Sequence, residues 1–254
     1  MQAWHIFTHS VRQVYGNLGA ALRITAVLYV VQWVIALTLG IAFGSRLSVA
    51  GTDQAAVLGV LQALFGPAIL SFAVMMVADI WIAVAWHRFV LTGERSAGLV
   101  PLFEGRRMLG YFGALLLLFL ILGLMLAALT LLLPVVEKVW GSAAQTLALM
   151  AVQVVLGALA MRLSTVLAGI ALEPGHALTE GWTATRGHMA DFLLLSLICG
   201  ALIAVAQNLG MALLSGMPMV YLAFIVVLQW VVMMTGISII TTLYGYYIEK
   251  RSLV

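Results

Sequence analysis

Charge is the scarcest commodity in this sequence. Of its 254 residues, 8% are Asp, Glu, Lys or Arg, while 64% are hydrophobic and the mean hydropathy is +1.15. A soluble domain carries about 25% charged residues and about 45–50% apolar ones. So few charges cannot cover a water-facing surface, which excludes a soluble globular domain; lipid must cover most of the chain. Cysteine is almost missing. The single Cys199 lies in an apolar run and has no partner, so neither a disulfide framework nor a thiolate metal site can form, and we read it as a small core residue. Catalytic signatures are missing too. There is no HExxH, phosphate loop, nucleophile elbow or CxxC, and nothing points to a cofactor.

What is present is a series of long apolar runs. About 20 residues at 1.5 Å rise cross roughly 30 Å of hydrocarbon. Six runs qualify: Ile24–Phe43, Pro67–Phe89, Gly110–Leu133, Ala144–Leu167, Phe192–Leu214 and Met219–Tyr244. Gly66-Pro67 is expected to start the second, Pro134 to stop the third, and Pro218 to sit in the first turn of the sixth, where its missing N–H costs nothing. The apolar stretch Ala55–Phe65 is too short to span and is expected to lie at the outer interface. These readings predict an all-α transmembrane bundle of six spans with short interfacial helices, forming one integral membrane domain over residues 1–254. Ser48-Val49-Ala50 faintly resembles a signal-peptide cleavage site, but the preceding run is too long for that role and is expected to be retained.

The basic residues set the topology. One side of such a bundle holds Arg12, Arg23, Arg88, Arg95, Arg106, Arg107, Arg162, Arg186, Lys250 and Arg251; the other holds Arg46 and Lys138. Ten against two over short loops makes the first side cytoplasmic, with both termini there. Basic residues scattered singly exclude nucleic acid as a partner and point to the bilayer and its anionic headgroups, with another membrane protein as a further candidate. The other side offers only Arg46, Asp53, Glu137 and Lys138 as titratable loop groups, with no carboxylate pair and no His for acid–base work.

Three segments facing the cytoplasm resemble one another, around Ser10–Asn17, Leu102–Tyr111 and Leu178–His188. Each reads as a short helix ending at glycine and leading into a span. They suggest a threefold repeat of interfacial helix plus two spans, over residues 1–90, 99–168 and 176–250. In the first, Trp4, Phe7, Val11, Val14 and Leu18 recur at three- and four-residue intervals. That spacing predicts a helix in the headgroup plane with Thr8, His9, Arg12 and Gln13 on its polar face.

Asp79 is the most unusual residue, because it falls within the second span. A carboxylate there costs at least about 2–3 kcal/mol on insertion scales, so it is expected to face the bundle interior and find a partner. Arg162 is the first choice of partner, with Gln153 or Gln207 next. Gln32, Gln153, Gln207, Asn208 and Gln229 are the amides within spans, and interhelical hydrogen bonds account for them. His5 and His9 share a helix face but lack a third ligand, which leaves a solvated pair and no metal site. At the cytoplasmic interface the candidates are His87, Arg88, Arg106, Arg107, Arg186 and His188. A cluster drawn from Arg95, Glu104, Arg106, Arg107, Glu173, His176, Glu180, Arg186, His188 and Asp191 is what an enzyme acting there would need.

The run Trp86-His87-Arg88-Phe89-Val90-Leu91-Thr92-Gly93-Glu94 resembles a signature of uncharacterised six-span bacterial inner-membrane proteins of α-proteobacterial type. The stretch Arg162–Gly187, with Ala177-Leu178 and Gly181-Trp182-Thr183-Ala184-Thr185-Arg186-Gly187, is similar to a loop in the membrane domain attached to some glycerophosphodiester phosphodiesterases. The resemblance implies a bacterial inner-membrane location and six spans. It implies no catalytic residue in this chain, since the phosphodiesterase activity of those proteins belongs to a soluble domain that is not among these residues. Three functions follow as expectations: a non-enzymatic scaffold or accessory in envelope or lipid processes, a small permease using Asp79, or a lipid-modifying enzyme working from the cytoplasmic face.

Overall fold

A computed structural model describes residues 2–95, 98–173 and 175–253. Among them the chain forms ten helices and no strand: α1 (Gln2–Gly16), α2 (Leu18–Ala50), α3 (Gln54–Thr92), α4 (Gly105–Thr130), α5 (Leu133–Trp140), α6 (Ser142–Ser164), α7 (Leu167–Leu172), α8 (Leu178–Ala184), α9 (Met189–Leu214) and α10 (Pro218–Tyr247). Six stretches are long and apolar enough to cross a membrane: α2, α3, α4 with α5, α6 with α7, α9 and α10. The protein is an all-α bundle of membrane-spanning helices.

The spans pair as hairpins. α2 turns into α3 at Gly51, whose φ of 58° is a left-handed conformation that a side chain would strain. Asp53 then caps α3 by accepting from the Ala55 N–H at 2.9 Å. α4 and α5 return through α6, and α9 returns through α10, where Pro218 sits in the first turn as expected. Both termini lie at one end of the bundle: Ala3 and Ile6 of α1 pack with Leu243 and Tyr247 of α10 and with Leu253.

Burial is concentrated at that end. Its core joins Ile82, Val84 and Trp86 of α3, Met108 and Tyr111 of α4, Ala158 of α6, all of α7 from Leu167 to Ala171, and Met234 to Tyr247 of α10. The opposite halves of the spans are open apolar surface, with Ile41 71%, Leu131 77% and Met219 80% exposed. In a bilayer, lipid takes that surface.

Several expectations need correction. α3 is continuous from Gln54 to Thr92 with Pro67 inside it, so Ala55–Phe65 is the start of the second span and not a separate interfacial helix. Proline removes one helical hydrogen bond, yet membrane helices tolerate it because neighbouring groups re-satisfy the freed backbone. Pro134 does not end a span; it opens α5, a short helix after a turn at Leu131-Leu132. The fourth span breaks at Thr165-Val166 and resumes as α7. There the Ser164 and Thr165 hydroxyls both donate to the Met161 carbonyl, at 3.2 and 2.8 Å, which competes with the helical ladder. The second of the three similar segments forms no separate short helix, since α4 starts at Gly105 and runs straight on.

α1 also differs. Its buried face is Ala3, Ile6, Ser10 and Val14, rotated by roughly 75° from the predicted stripe at about 100° per residue. Trp4 is 53% exposed, while Phe7 and Val11 are half-buried. The helix packs antiparallel along the end of α10: the Ser10 and Thr242 hydroxyls lie 2.9 Å apart, and Ser238 donates to the Gln13 carboxamide at 2.5 Å. Gln13 is therefore bonded to a span and is not on a free polar face. α2 continues the same course, with Thr25 accepting from the Trp230 ring N–H at 2.9 Å and Tyr29 donating to the Val226 carbonyl at 2.6 Å.

Candidate functional site

Asp79 sits on α3 nine residues before Arg88, roughly 13 Å along the axis. Its carboxylate accepts from the Gln32 side-chain amide at 2.7 Å, and the same nitrogen lies 3.0 Å from the Met75 carbonyl one turn earlier. Gln32 is buried and Asp79 is exposed on the outside of the bundle. The expected pair with Arg162 is not formed, nor are pairs with Gln153 or Gln207. Those two amides face outward from α6 and α9, and Asn208 donates to the Ala204 carbonyl of its own helix at 2.7 Å. Asp79 does not face the bundle interior; its apolar neighbours Ala78 and Ile80 do.

Arg162 is buried at the end of α6 and ties it to α8. Its Nε donates to the Thr185 hydroxyl at 3.1 Å, a terminal nitrogen donates to the Trp182 carbonyl at 3.2 Å, and its guanidinium stacks 3.8 Å from the centre of the Trp182 ring. A stacked guanidinium with two acceptors is a stable arrangement for a buried cation. Close packing supports it, since α8 presents Gly181 against the Arg162 and Leu163 carbonyls, where a side chain would crowd the backbone.

His87 is fully buried. Its Nδ1 lies 2.8 Å from the Thr241 hydroxyl of α10 and its Nε2 lies 3.2 Å from the Tyr111 hydroxyl of α4. One imidazole thus joins three spans, and neither nitrogen is open to a substrate. Arg88 pairs with Glu94 and lies 3.8 Å from Glu104; Arg107 pairs with Glu104 at 3.0 Å and donates to the Leu172 carbonyl at 3.0 Å, capping α7. Arg106, Arg186 and His188 are exposed; His188 reaches Asp191 at 3.4 Å. At α8, His176 meets Glu180 at 2.7 Å and the Ala177 N–H donates to Glu180 at 3.0 Å. Both contacts hold the Glu180 carboxyl below its usual range, the histidine contact more strongly. Among the described residues no group of three His, Cys, Asp or Glu is arranged to hold a metal ion.

Arg88, Glu94, Glu104 and Arg107 form one ion-pair network, and Arg88, Glu94, Arg95 and Glu104 line one small pocket; His87, Arg162 and the His176–Glu180 pair form separate joints away from it. The sequence reading missed their neutral partners. Ser238, Thr241 and Thr242 recur at three- and four-residue spacing on the mostly apolar α10, and that spacing was the available signal. Gln32 is the sole amide on α2, and a hairpin turning near residue 52 places it roughly opposite residue 72, within two turns of Asp79. Two further cavities lie near this end. One of about 330 Å³ opens at the α1–α2 elbow beside Arg23 and Arg95. The other, of about 400 Å³, is an apolar cleft between α9 and α10 beneath Phe7, Val11 and Tyr15. Neither is lined by Asp79. Comparison with protein-family models, curated proteins and solved structures finds no match.

Proposed function

We propose that this protein is a non-enzymatic scaffold or accessory of the bacterial inner membrane, serving envelope or lipid processes, with both termini in the cytoplasm. The observation that carries this reading is where the chemistry-bearing side chains are spent. His87, Arg162, Arg88, Glu104 and Arg107 each bond one helix to another. The excess of Lys and Arg at the terminal end supports a cytoplasmic orientation. The resemblance to six-span inner-membrane proteins points the same way, and the anionic leaflet and a second membrane protein are the partners it implies. A reporter after Gly98 and one at the C-terminus are expected to read as cytoplasmic, and one at Gly51 as external; Gly51 and Gly98 on the same side would refute the orientation.

Asp79 supports a second reading, a permease, because its exposed carboxylate is, among the described residues, the one ionisable group held well inside a span by an amide of another. Proteoliposomes loaded with a pH-sensitive dye decide between the two. The scaffold reading expects proton flux under an imposed gradient to equal that of protein-free vesicles and to be unchanged by Asp79→Asn. A flux that Asp79→Asn abolishes would establish the permease and sink the scaffold.

A further inference from the structure

The elbow between α1 and α2 encloses a cavity of about 330 Å³, lined by Gly16 to Ala20, Arg23, Ile24, Phe89 and Arg95. Two arginines line it from separate parts of the chain. Arg23 belongs to the second turn of α2, and Arg95 to the loop after α3. The acidic residues nearby are already committed: Glu94 pairs with Arg88, and Glu104 pairs with Arg107 and faces Arg88. Among the described residues neither Arg23 nor Arg95 has an ion pair or a hydrogen bond. Two unneutralised cations on one cavity repel each other, and an anion between them removes that cost. Guanidinium matches the oxygens of a phosphate two at a time, with a fixed planar fork.

The rest of the lining suits the same guest. Leu18 and Gly19, in the first turn of α2, also line the cavity, and the N–H groups of a first helical turn lack intrahelical acceptors. At Gly16 and Gly19 an added side-chain carbon would meet nothing within 4 Å, so the cavity is open there and not filled by packing. Ile24 and Phe89 form an apolar floor where the long run of α2 begins and that of α3 ends, which sets the cavity at the edge of the hydrocarbon layer.

We infer that this elbow is a binding site for a phosphate group, gripped by Arg23 and Arg95. The same chemistry is offered by the headgroup phosphate of an anionic lipid in the adjoining leaflet and by a soluble phosphate. The site goes beyond the scaffold reading and does not depend on it, since a permease with this elbow would carry it equally.

The test uses the full chain in maltoside micelles, which contain no phosphate. Thermal unfolding is followed while phosphatidylglycerol is titrated, and separately while inorganic phosphate is titrated. The wild type is expected to be stabilised, and Arg23→Gln/Arg95→Gln to raise the half-saturating concentration about tenfold or more, the order set by losing two cationic contacts to an anion. Both arginines are exposed and unbonded, so the variant is expected to unfold at the wild-type temperature without ligand. Arg106→Gln/Arg186→Gln removes the same two charges outside the cavity and is expected to leave the titration unchanged. A response to phosphatidylglycerol alone assigns the site to a lipid headgroup; an equal response to inorganic phosphate assigns it to a soluble phosphate. The inference is overturned if the wild type responds to neither, if the Arg23/Arg95 variant titrates like wild type, or if the control variant loses as much.

Discussion

Asp79 and Arg162 can be tested as a pair that does not exist. A double-mutant cycle uses Asp79→Leu, Arg162→Leu and the combination, with Gln32→Leu as the contrasting partner. Two terms decide the first variant. The carboxylate gains one amide hydrogen bond across helices, worth about 0.6 and at most about 1.7 kcal/mol in membrane proteins. Its cost inside a span is at least about 2–3 kcal/mol. The helix bears that cost in the detergent-unfolded state as well, so it cancels, and Asp79→Leu is expected to destabilise the folded state by about 1 kcal/mol, the hydrogen bond it loses. Arg162→Leu strips Thr185 and the Trp182 carbonyl of their donor and removes the ring contact; it is expected to destabilise by about 2–4 kcal/mol. The two residues share no partner, so the double variant is expected to be the sum of the singles within about 0.5 kcal/mol. Asp79 with Gln32, by contrast, is expected to show coupling near 1 kcal/mol. Unfolding in mixed micelles by sodium dodecyl sulfate, followed by far-ultraviolet circular dichroism, measures all of these. If Asp79→Leu loses more than about 2 kcal/mol and Arg162→Leu recovers it, the assignment of partners is wrong.

His87→Ala is expected to destabilise by about 3 kcal/mol, because it opens a cavity and leaves the buried Thr241 and Tyr111 hydroxyls without that partner; the same unfolding assay reads it. Gly169→Ala places a carbon 2.5 Å from the Tyr244 ring and is expected to cost about 1–3 kcal/mol, with Tyr244→Ala in the same chain removing the clash. The depressed Glu180 carboxyl contributes stability that is present above its unfolded pKa of about 4.3 and is lost as pH falls through the lower folded value. The group is exposed, so the effect is under about 0.5 kcal/mol, and Glu180→Gln is expected to flatten the acid limb of the stability profile by that much.

The spans were legible in the sequence because burial in lipid needs only length and apolarity, which can be read residue by residue. What failed was reasoning carried over from water. Gly66-Pro67 marks a helix start in a soluble chain, where freed backbone groups turn to solvent. Inside a bilayer the alternative to a strained helix is an unsatisfied peptide, so α3 runs through it. The face of α1 was legible only in part: Val14 is buried and Phe7 packs on the core as the stripe predicts, but Ala3, Ile6 and Ser10 lie outside it. A hydrophobic pattern counts Ala3 and Ser10 as weak, yet these small residues let α1 approach α10 closely, and Ser10 finds Thr242 there. Asp79 was legible as an oddity but not its partner, because pairing by charge ignores which helices are neighbours. α2 and α3 adjoin through the turn at Gly51, whereas Arg162 is held by α8, whose contact with α6 nothing in the sequence announces.

The uneven burial along the bundle has a physical cause. Apolar surface gains nothing by leaving lipid for another apolar helix, so spans associate only through close packing and polar bonds. The hydroxyls, amides and charges that can supply such bonds are gathered at the terminal end: Ser10, Gln13, His87, Arg162, Ser238, Thr241. That is where the helices are packed. Beyond Tyr29 and Gln32 on α2 and Asp79 on α3, polar contacts between spans thin out. The outer halves are then held in pairs by their hairpin turns and by single close fits, such as Phe224 of α10 against Gly210 of α9. A chain built this way has one rigid end and one end whose hairpins present separate apolar flanks to the bilayer. Inserting a polar bond between hairpins in the outer half should therefore stiffen the molecule more than any change in apolar packing there, since only the polar bond has no equivalent in lipid.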